Sequence, residues 1–139
     1  MTIRQALPTD AATLGKLLSQ LGYPASEEDC IARIQIYREP YYHLWVGVLD
    51  QQVIGFIALH EYHAIHHTQP IGRVIALCVD EEYRGKGLGG QLLQQAEKYF
   101  QEQGCLKVEL TSNVKRTAAH DYYLAKGYQQ MSKHFVKKL

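Results

Sequence analysis

The sequence predicts an α/β chain of mixed strands and helices, in a single domain over residues 1–139. Three observations carry that reading. The run Val74-Ile75-Ala76-Leu77-Cys78-Val79 is short, rich in β-branched residues and bounded by turn residues, as a buried strand requires. After it, Leu88, Leu92, Leu93, Ala96, Tyr99 and Phe100 recur at helical spacing, with Glu97 and Lys98 on the other face. Strand-like and helix-like runs continue on both sides, in the order β-α-α-β-β-β-α-β-α-β.

Residues 2–6 form a short first strand. Pro8-Thr9-Asp10 opens a helix carrying Ala11, Leu14, Leu17, Leu18 and Leu21, which Gly22 ends. Ser26 caps a second helix with Glu27, Glu28 and Asp29 in its first turn, where acids favour the positive end of the dipole; Pro40 follows its end. Residues 42–49 and 53–62 make a hairpin across Asp50-Gln51-Gln52. The strand 74–79 and the helix from Leu88 follow. A strand at 106–111, a last helix at 116–126 and a closing strand at 128–136 complete the chain. No repeat, low-complexity tract or linker interrupts it.

Between the central strand and its helix lies Arg84-Gly85-Lys86-Gly87-Leu88-Gly89-Gly90. Glycines leave main-chain amides bare, and beside a helix N-terminus bare amides form an anion site. Arg84 and Lys86 add positive charge. The loop therefore fits a phosphate-bearing cofactor, with a plain flexible connection as the alternative. Gly85, Gly87 and Gly90 satisfy G-x-G-x-x-G, and Glu109 lies near the spacing of a ribose ligand. In a dinucleotide fold, however, the glycines follow the first strand at once. Here Asp80-Glu81-Glu82-Tyr83-Arg84 intervene, and the chain is too short for the rest of a doubly wound sheet. A P-loop fails for want of its Gly-Lys-Ser/Thr.

A second segment is Ala119-His120-Asp121-Tyr122-Tyr123-Leu124-Ala125-Lys126-Gly127-Tyr128, preceded by Ser112-Asn113-Val114-Lys115-Arg116. It resembles motif B of the GNAT family of N-acetyltransferases. Arg84-Gly85-Lys86-Gly87-Leu88-Gly89 matches that family's motif A, Arg/Gln-x-x-Gly-x-Gly/Ala, without a gap. The two motifs and the elements between them cover residues 72–128. The C-terminal half is similar, more narrowly, to the aminoalkylphosphonate N-acetyltransferase branch, through residues 55–59, His60, His66-His67, Asn113-Val114-Lys115-Arg116, Ala119-His120 and Tyr123-Leu124.

The resemblance implies the GNAT fold: a mixed, mostly antiparallel sheet of six to seven strands with four helices, and a cleft where strands four and five splay apart. It implies acetyl-CoA as cofactor and coenzyme A as product. The pyrophosphate then rests on the amides of Gly85, Lys86, Gly87, Leu88, Gly89 and Gly90, assisted by the Arg84 and Lys86 side chains. Main-chain groups of Leu77, Cys78 and Val79 pair with the pantetheine arm like an added strand. Tyr123 takes the family's tyrosine position as general acid, since a phenol of ordinary pKa about 10 keeps its proton at neutral pH for a departing thiolate. The other reading of Tyr123 is an aromatic on the apolar face of its helix, and Tyr122 competes for the role. Asn113 binds pantetheine or a water, or simply caps the last helix. Cys78 is a small buried side chain in preference to an acyl-carrying nucleophile.

The general base departs from the family pattern, because Ile75 stands where many relatives carry a glutamate. The candidates are Glu61, His60, His63, His66 and His67, or a water chain to one of them; Glu61 and His66 are carried forward as catalytic residues. A metal in the histidine-rich segment 60–67 is not expected, since residues 60 and 63 of a strand face opposite sides. The family's architecture places the acceptor pocket between the first two helices and the connection of strands three and four. Tyr37, Tyr42, Tyr62 and His67 are its candidate substrate residues, with Tyr41 and His66 beside them. Arg33 and Arg38 suit a phosphonate or carboxylate.

A formal charge of +1 points to neither nucleic acid nor an acidic membrane as partner. No run approaches the ~20 apolar residues of a spanning helix, and no signal-peptide core is seen at the N-terminus. The odd set Cys30, Cys78 and Cys105 suits reduced thiols in the cytoplasm. The reading is an N-acetyltransferase moving acetyl from acetyl-CoA to a primary amine of a small molecule, an aminoalkylphosphonate or a related amine, by direct transfer in a ternary complex. Acetylation of a protein lysine or N-terminal amine, and a non-catalytic acetyl-CoA sensor, are the alternatives. A homodimer is expected by family habit.

Overall fold

The computed structural model describes residues 1–111 and 117–139. Among them the elements run β1 (Thr2–Gln5), α1 (Ala11–Leu21), α2 (Glu27–Ile36), β2 (Tyr42–Leu49), β3 (Gln52–Tyr62), β4 (Ile71–Val79), α3 (Leu88–Glu102), β5 (Val108–Leu110) and α4 (Thr117–Ala125). The strands form one sheet in sequence order. β1 to β4 are antiparallel neighbours, and β5 joins β4 in parallel.

Local chemistry explains several of these boundaries. Ser26 Oγ accepts from the Asp29 N–H at 3.0 Å, and the Asp29 carboxylate accepts from the Ser26 N–H at 3.3 Å, so α2 starts on a reciprocal capping box. α1 stops where Gly22 turns left-handed, at φ 100°. The β2–β3 hairpin closes on Asp50 and Gln51, both at positive φ (49° and 64°). Two left-handed residues in a row make the turn whose twist matches that of its strands. The carboxylate and amide residues adopt it without a glycine, and β3 accordingly begins at Gln52.

β3 is the centre of the molecule. Residues 54–59 are all buried, with no alternation, because both faces of the strand are covered. Phe56 and Ala58 pack with Leu14, Leu17, Cys30 and Ile34 of α1 and α2. On the opposite face Ile57, Leu59 and Val74 meet Leu92, Leu93, Ala96 and Phe100 of α3. Each such side chain contributes about 1.5–3 kcal/mol by leaving water. α3 lies close on β4: a Cβ on Gly72 would sit 2.5 Å from the Phe100 ring.

β4 carries the feature that positions the site. Its register on β3 passes from Ala58↔Ala76 to Leu59↔Val74, leaving Ile75 as the extra residue of a β-bulge. β5 pairs only with Gly72, Arg73 and Val74. From 75 to 79, β4 therefore has no strand on its β5 side among the described residues. This is the splay that the sequence analysis expected.

Two expectations need correction. Among the described residues the sheet has five strands, not six to seven, and residues 128–136 form no strand. The apolar residues of that run, Tyr128, Met131, Phe135 and Val136, are spaced by three, four and one, so no period of two gives a strand an apolar face. Met131, Phe135 and Val136 are all exposed. The strand expected at 106–111 is also shorter, Val108–Leu110. The four helices stand as expected, and among the described residues no helix is long and apolar enough to cross a membrane.

Candidate active site

The glycine loop is built as a cradle of main chain. Gly85 and Gly87 take positive φ (81° and 77°), and a Cβ added to either would meet no atom within 4 Å, so the loop opens onto free space. α3 begins at Gly87 with no side-chain cap. The Gln91 N–H donates to Gly87 O at 3.2 Å, but the amides of Leu88, Gly89 and Gly90 before it have no recorded partner among the described residues. Three unpaired N–H groups at the start of a 15-residue helix make an anion site. The stem is pinned from both sides. The buried Asp80 carboxylate accepts from the Glu82 N–H (3.1 Å), Lys16 Nζ (3.3 Å) and Gln20 Nε2 (3.4 Å). The Glu82 amide is the main influence holding that carboxyl below its usual range. Arg84 Nε–H donates to Val79 O at 3.0 Å, closing the loop onto the end of β4, and Lys86 Nζ lies 5.3 Å over the Tyr83 ring.

A cleft of about 910 Å³ runs along the splayed edge of β4. It is lined by Ile75, Ala76 and Leu77 of β4, Ala119 and Tyr123 of α4, Leu14 and Leu18 of α1, Arg33 of α2 and Tyr37 just past its end. Its size is that of a small-molecule site. Ala119 and Tyr123 stand one turn apart on α4 and both face it. Tyr122 turns the other way, its buried hydroxyl without a hydrogen-bond partner among the described residues and 3.1 Å from where a Gly90 Cβ would be. Burial is the main influence raising the Tyr122 phenol, with Glu97 adding to it. Geometry thus separates the two competing tyrosines.

The other expected residues scatter. Leu77 lines the cleft, whereas Cys78 is buried against α1 and its Sγ donates to Leu17 O at 3.4 Å, away from any nucleophilic role. Val79 packs beside the α3 core. Asn113 lies outside the described residues. Of the four substrate candidates only Tyr37 lines the cleft. Tyr42 stacks on His60 with ring centres 4.2 Å apart, and Tyr62 hydrogen-bonds Glu109, so both belong to a shelf on β2 and β3. Burial is the main influence lowering the His60 imidazole, and Arg73 adds to it. His66 and His67 sit in the β3–β4 loop, their rings 4.4 Å apart, outside the cleft. Glu61 projects to the α3 face. There His43 Nε2 lies 3.0 Å from its carboxylate and 2.9 Å from the Tyr99 hydroxyl. A carboxylate only accepts, so Nε2–H donates to Glu61. Burial, then Glu61, push the Tyr99 phenol far up. No group of three or more His, Cys, Asp or Glu comes together to hold a metal ion among the described residues.

Sequence reasoning missed three residues that matter here. Asp80 reads as the first acid of a turn, and nothing local announces its bonds to α1. His134 and Lys138 line the cleft from the run that was read as a strand. The only signal in the sequence is their even spacing.

The profile of the acetyltransferase (GNAT) family matches residues 12–128. The chain belongs to the GNAT family. It is therefore an acyltransferase, with N-acetyltransferase activity of GNAT type, in a family whose acyl donor is acetyl-CoA. An aminoalkylphosphonate N-acetyltransferase of Salmonella typhimurium is 34% identical over 123 residues, covering 88% of this chain and 78% of the relative. An aminoglycoside N(6')-acetyltransferase of Stenotrophomonas maltophilia is 26% identical over 133 residues, covering 93% and 86%. The structure of an aminoglycoside N-acetyltransferase in complex with CoA shares the GNAT fold at a TM-score of 0.85, with 16% identity and coverage of 99% of this chain and 93% of that one. The bare amides of the glycine loop and the splayed edge of β4 fit the chemistry of this cofactor: helix-start amides are donors for phosphate oxygens, and a strand edge suits an amide-bearing arm.

Proposed function

We propose that this GNAT protein transfers acetyl from acetyl-CoA to the primary amine of a small molecule, by direct attack within a ternary complex. One observation carries the reading: a single cleft joins the splayed edge of β4 to Tyr123 on α4 and to side chains of α1 and α2. The bound cofactor supplies an acyl thioester, already activated toward an amine. The amides of 85–90 hold its phosphates, and β4 from 75 to 79 lays main-chain groups along its arm. Tyr123 holds its phenolic proton on the facing wall, within the same cleft, for the sulfur that departs. Ile75, bulged and 41% exposed, offers the amine an apolar contact and takes no proton. No carboxylate lines the cleft among the described residues, so the ammonium proton leaves to water before attack.

The name of the Salmonella relative supports an aminoalkylphosphonate or a similar amine as acceptor. The aminoglycoside relative keeps a larger amine in view. Thiol release from acetyl-CoA, measured against small amines, peptides and aminoglycosides, tests the proposal. Turnover with small amines is the expected result. Release only with peptides assigns the site to protein amines, and cofactor binding with no release assigns it to sensing.

A further inference from the structure

The charged lining of the cleft is of one sign. Arg33 and Lys138 face it, with the His134 imidazole beside them, and no aspartate or glutamate does among the described residues. The chain at large holds 15 Lys and Arg against 14 Asp and Glu, so such a lining is not what its surface offers on average. The acids of the surrounding elements are engaged elsewhere: Glu109 with Tyr62 and Lys107, Glu61 with His43, Asp80 with Lys16.

The basic groups come from opposite ends of the chain. Arg33 stands in the last turn of α2, on the wall that also carries Cys30 and Tyr37. His134, Val136 and Lys138 reach the same cleft from the C-terminal run, every second residue, as an extended chain presents them. A wall of this composition repels a polycationic aminosugar and attracts an acid. The guanidinium offers a planar fork and the ammonium a point charge, a pairing suited to phosphonate or carboxylate oxygens.

We propose that the acceptor is a primary amine that also carries an acid group, bound through that acid by Arg33 and Lys138, with residues 134–138 as the specificity wall. This rests on the transferase reading and gives it an acceptor class. It also gives a role to a run too irregular in its apolar spacing to pair as a strand.

The test compares kcat/KM of the full chain, at saturating acetyl-CoA, for primary amines of matched length: an aminoalkylphosphonate, an amino carboxylate and an amino alcohol, with a polycationic aminosugar as the fourth. The native protein is expected to favour the acid-bearing amines over the amino alcohol. Arg33→Ala and Lys138→Ala each lower that preference about tenfold through KM, as loss of a charged hydrogen bond does. Lys138→Arg keeps the preference and Lys138→Glu reverses it. The phosphonate and carboxylate arms tell which acid the wall was built for. Equal use of the amino alcohol by the native protein, a preference for the aminosugar, or variants whose preference does not move, overturns the inference. Acetyl-CoA binding by calorimetry, run on every variant, certifies the fold. Absence of that heat in the native protein instead overturns the transferase reading beneath it.

Discussion

The two halves of the proposed site are made of different material. On the side proposed for the cofactor the working groups are main chain: the amides of the glycine loop 85–90 and β4 from 75 to 79, where it has left β5. On the side proposed for the acceptor they are side chains lining the cleft, Arg33, Tyr37, Tyr123, His134 and Lys138, drawn from the end of α2, α4 and the C-terminal run. A main-chain site needs only the right backbone conformation, which a short run of glycines and a helix start provide. A side-chain site needs distant elements to arrive with particular faces turned inward. The first tolerates many side chains around it, while single replacements can retune the second.

The largest effect that sharpens this contrast is at Tyr123. Tyr123→Phe removes the hydroxyl alone and is expected to lower kcat about hundredfold at saturating acetyl-CoA, the lower range of general acid catalysis, with CoA affinity unchanged by calorimetry. An unaltered kcat makes that wall mere packing. Next is the packing of α3 on the start of β4. Gly72→Ala drives a Cβ to 2.5 Å from the Phe100 ring, a buried aromatic with no room to yield. Overpacking there is expected to cost about 2 kcal/mol, read as a shifted midpoint in urea unfolding. On the cofactor side, Gly87→Val imposes a β-branched side chain on a φ of 77°. That strain of about 1–2 kcal/mol is expected to weaken CoA binding about tenfold, whereas Gly87→Asn, more at ease in that region, keeps most of it.

The smallest effect lies away from both halves. Burial works to raise the Asp10 carboxyl, but the Arg4 guanidinium at 2.8 and 3.0 Å and the Leu7 N–H at 2.7 Å outweigh it, and the net direction is downward. Stability from a lowered carboxyl is present above its unfolded pKa, about 3.9, and is lost as pH falls through the folded value. Arg4 is 38% exposed, so the contribution is about 1 kcal/mol. Acid unfolding followed by circular dichroism is expected to show Asp10→Asn losing that much less stability than the native chain between pH 5 and pH 2. Acetyl transfer at neutral pH stays the same.

Much of the molecule was legible in the chain. Ser26 and Asp29 signalled the start of α2, and Gly22 the end of α1. The glycines of 85–90 marked the loop before α3. The hairpin turn was placed correctly to within one residue although it lacks glycine, because the polar Asp50-Gln51-Gln52 breaks two runs rich in β-branched and aromatic residues. Failures have a common cause. Glu61, His66, Tyr42 and Tyr62 carry suitable chemistry in the right stretch of sequence, yet strand parity turns Glu61 to the α3 face, the β3–β4 loop carries His66 off, and Tyr42 and Tyr62 lie on the same face as Leu44, Phe56 and Ala58 but outside the cleft. The run 128–136 looked like a strand by composition, but its apolar residues keep no period of two.

What the sequence determined by itself was whatever neighbouring residues decide together: the elements, their caps, and an anion cradle formed within seven consecutive positions. Tertiary structure decided which of two adjacent tyrosines faces the cleft, how far β5 accompanies β4, and that Lys138 and Arg33 line the same cleft. The reason is geometric. Backbone conformation is a local property of the chain, whereas the direction of a side chain acquires meaning only when another element covers one face and leaves the other open.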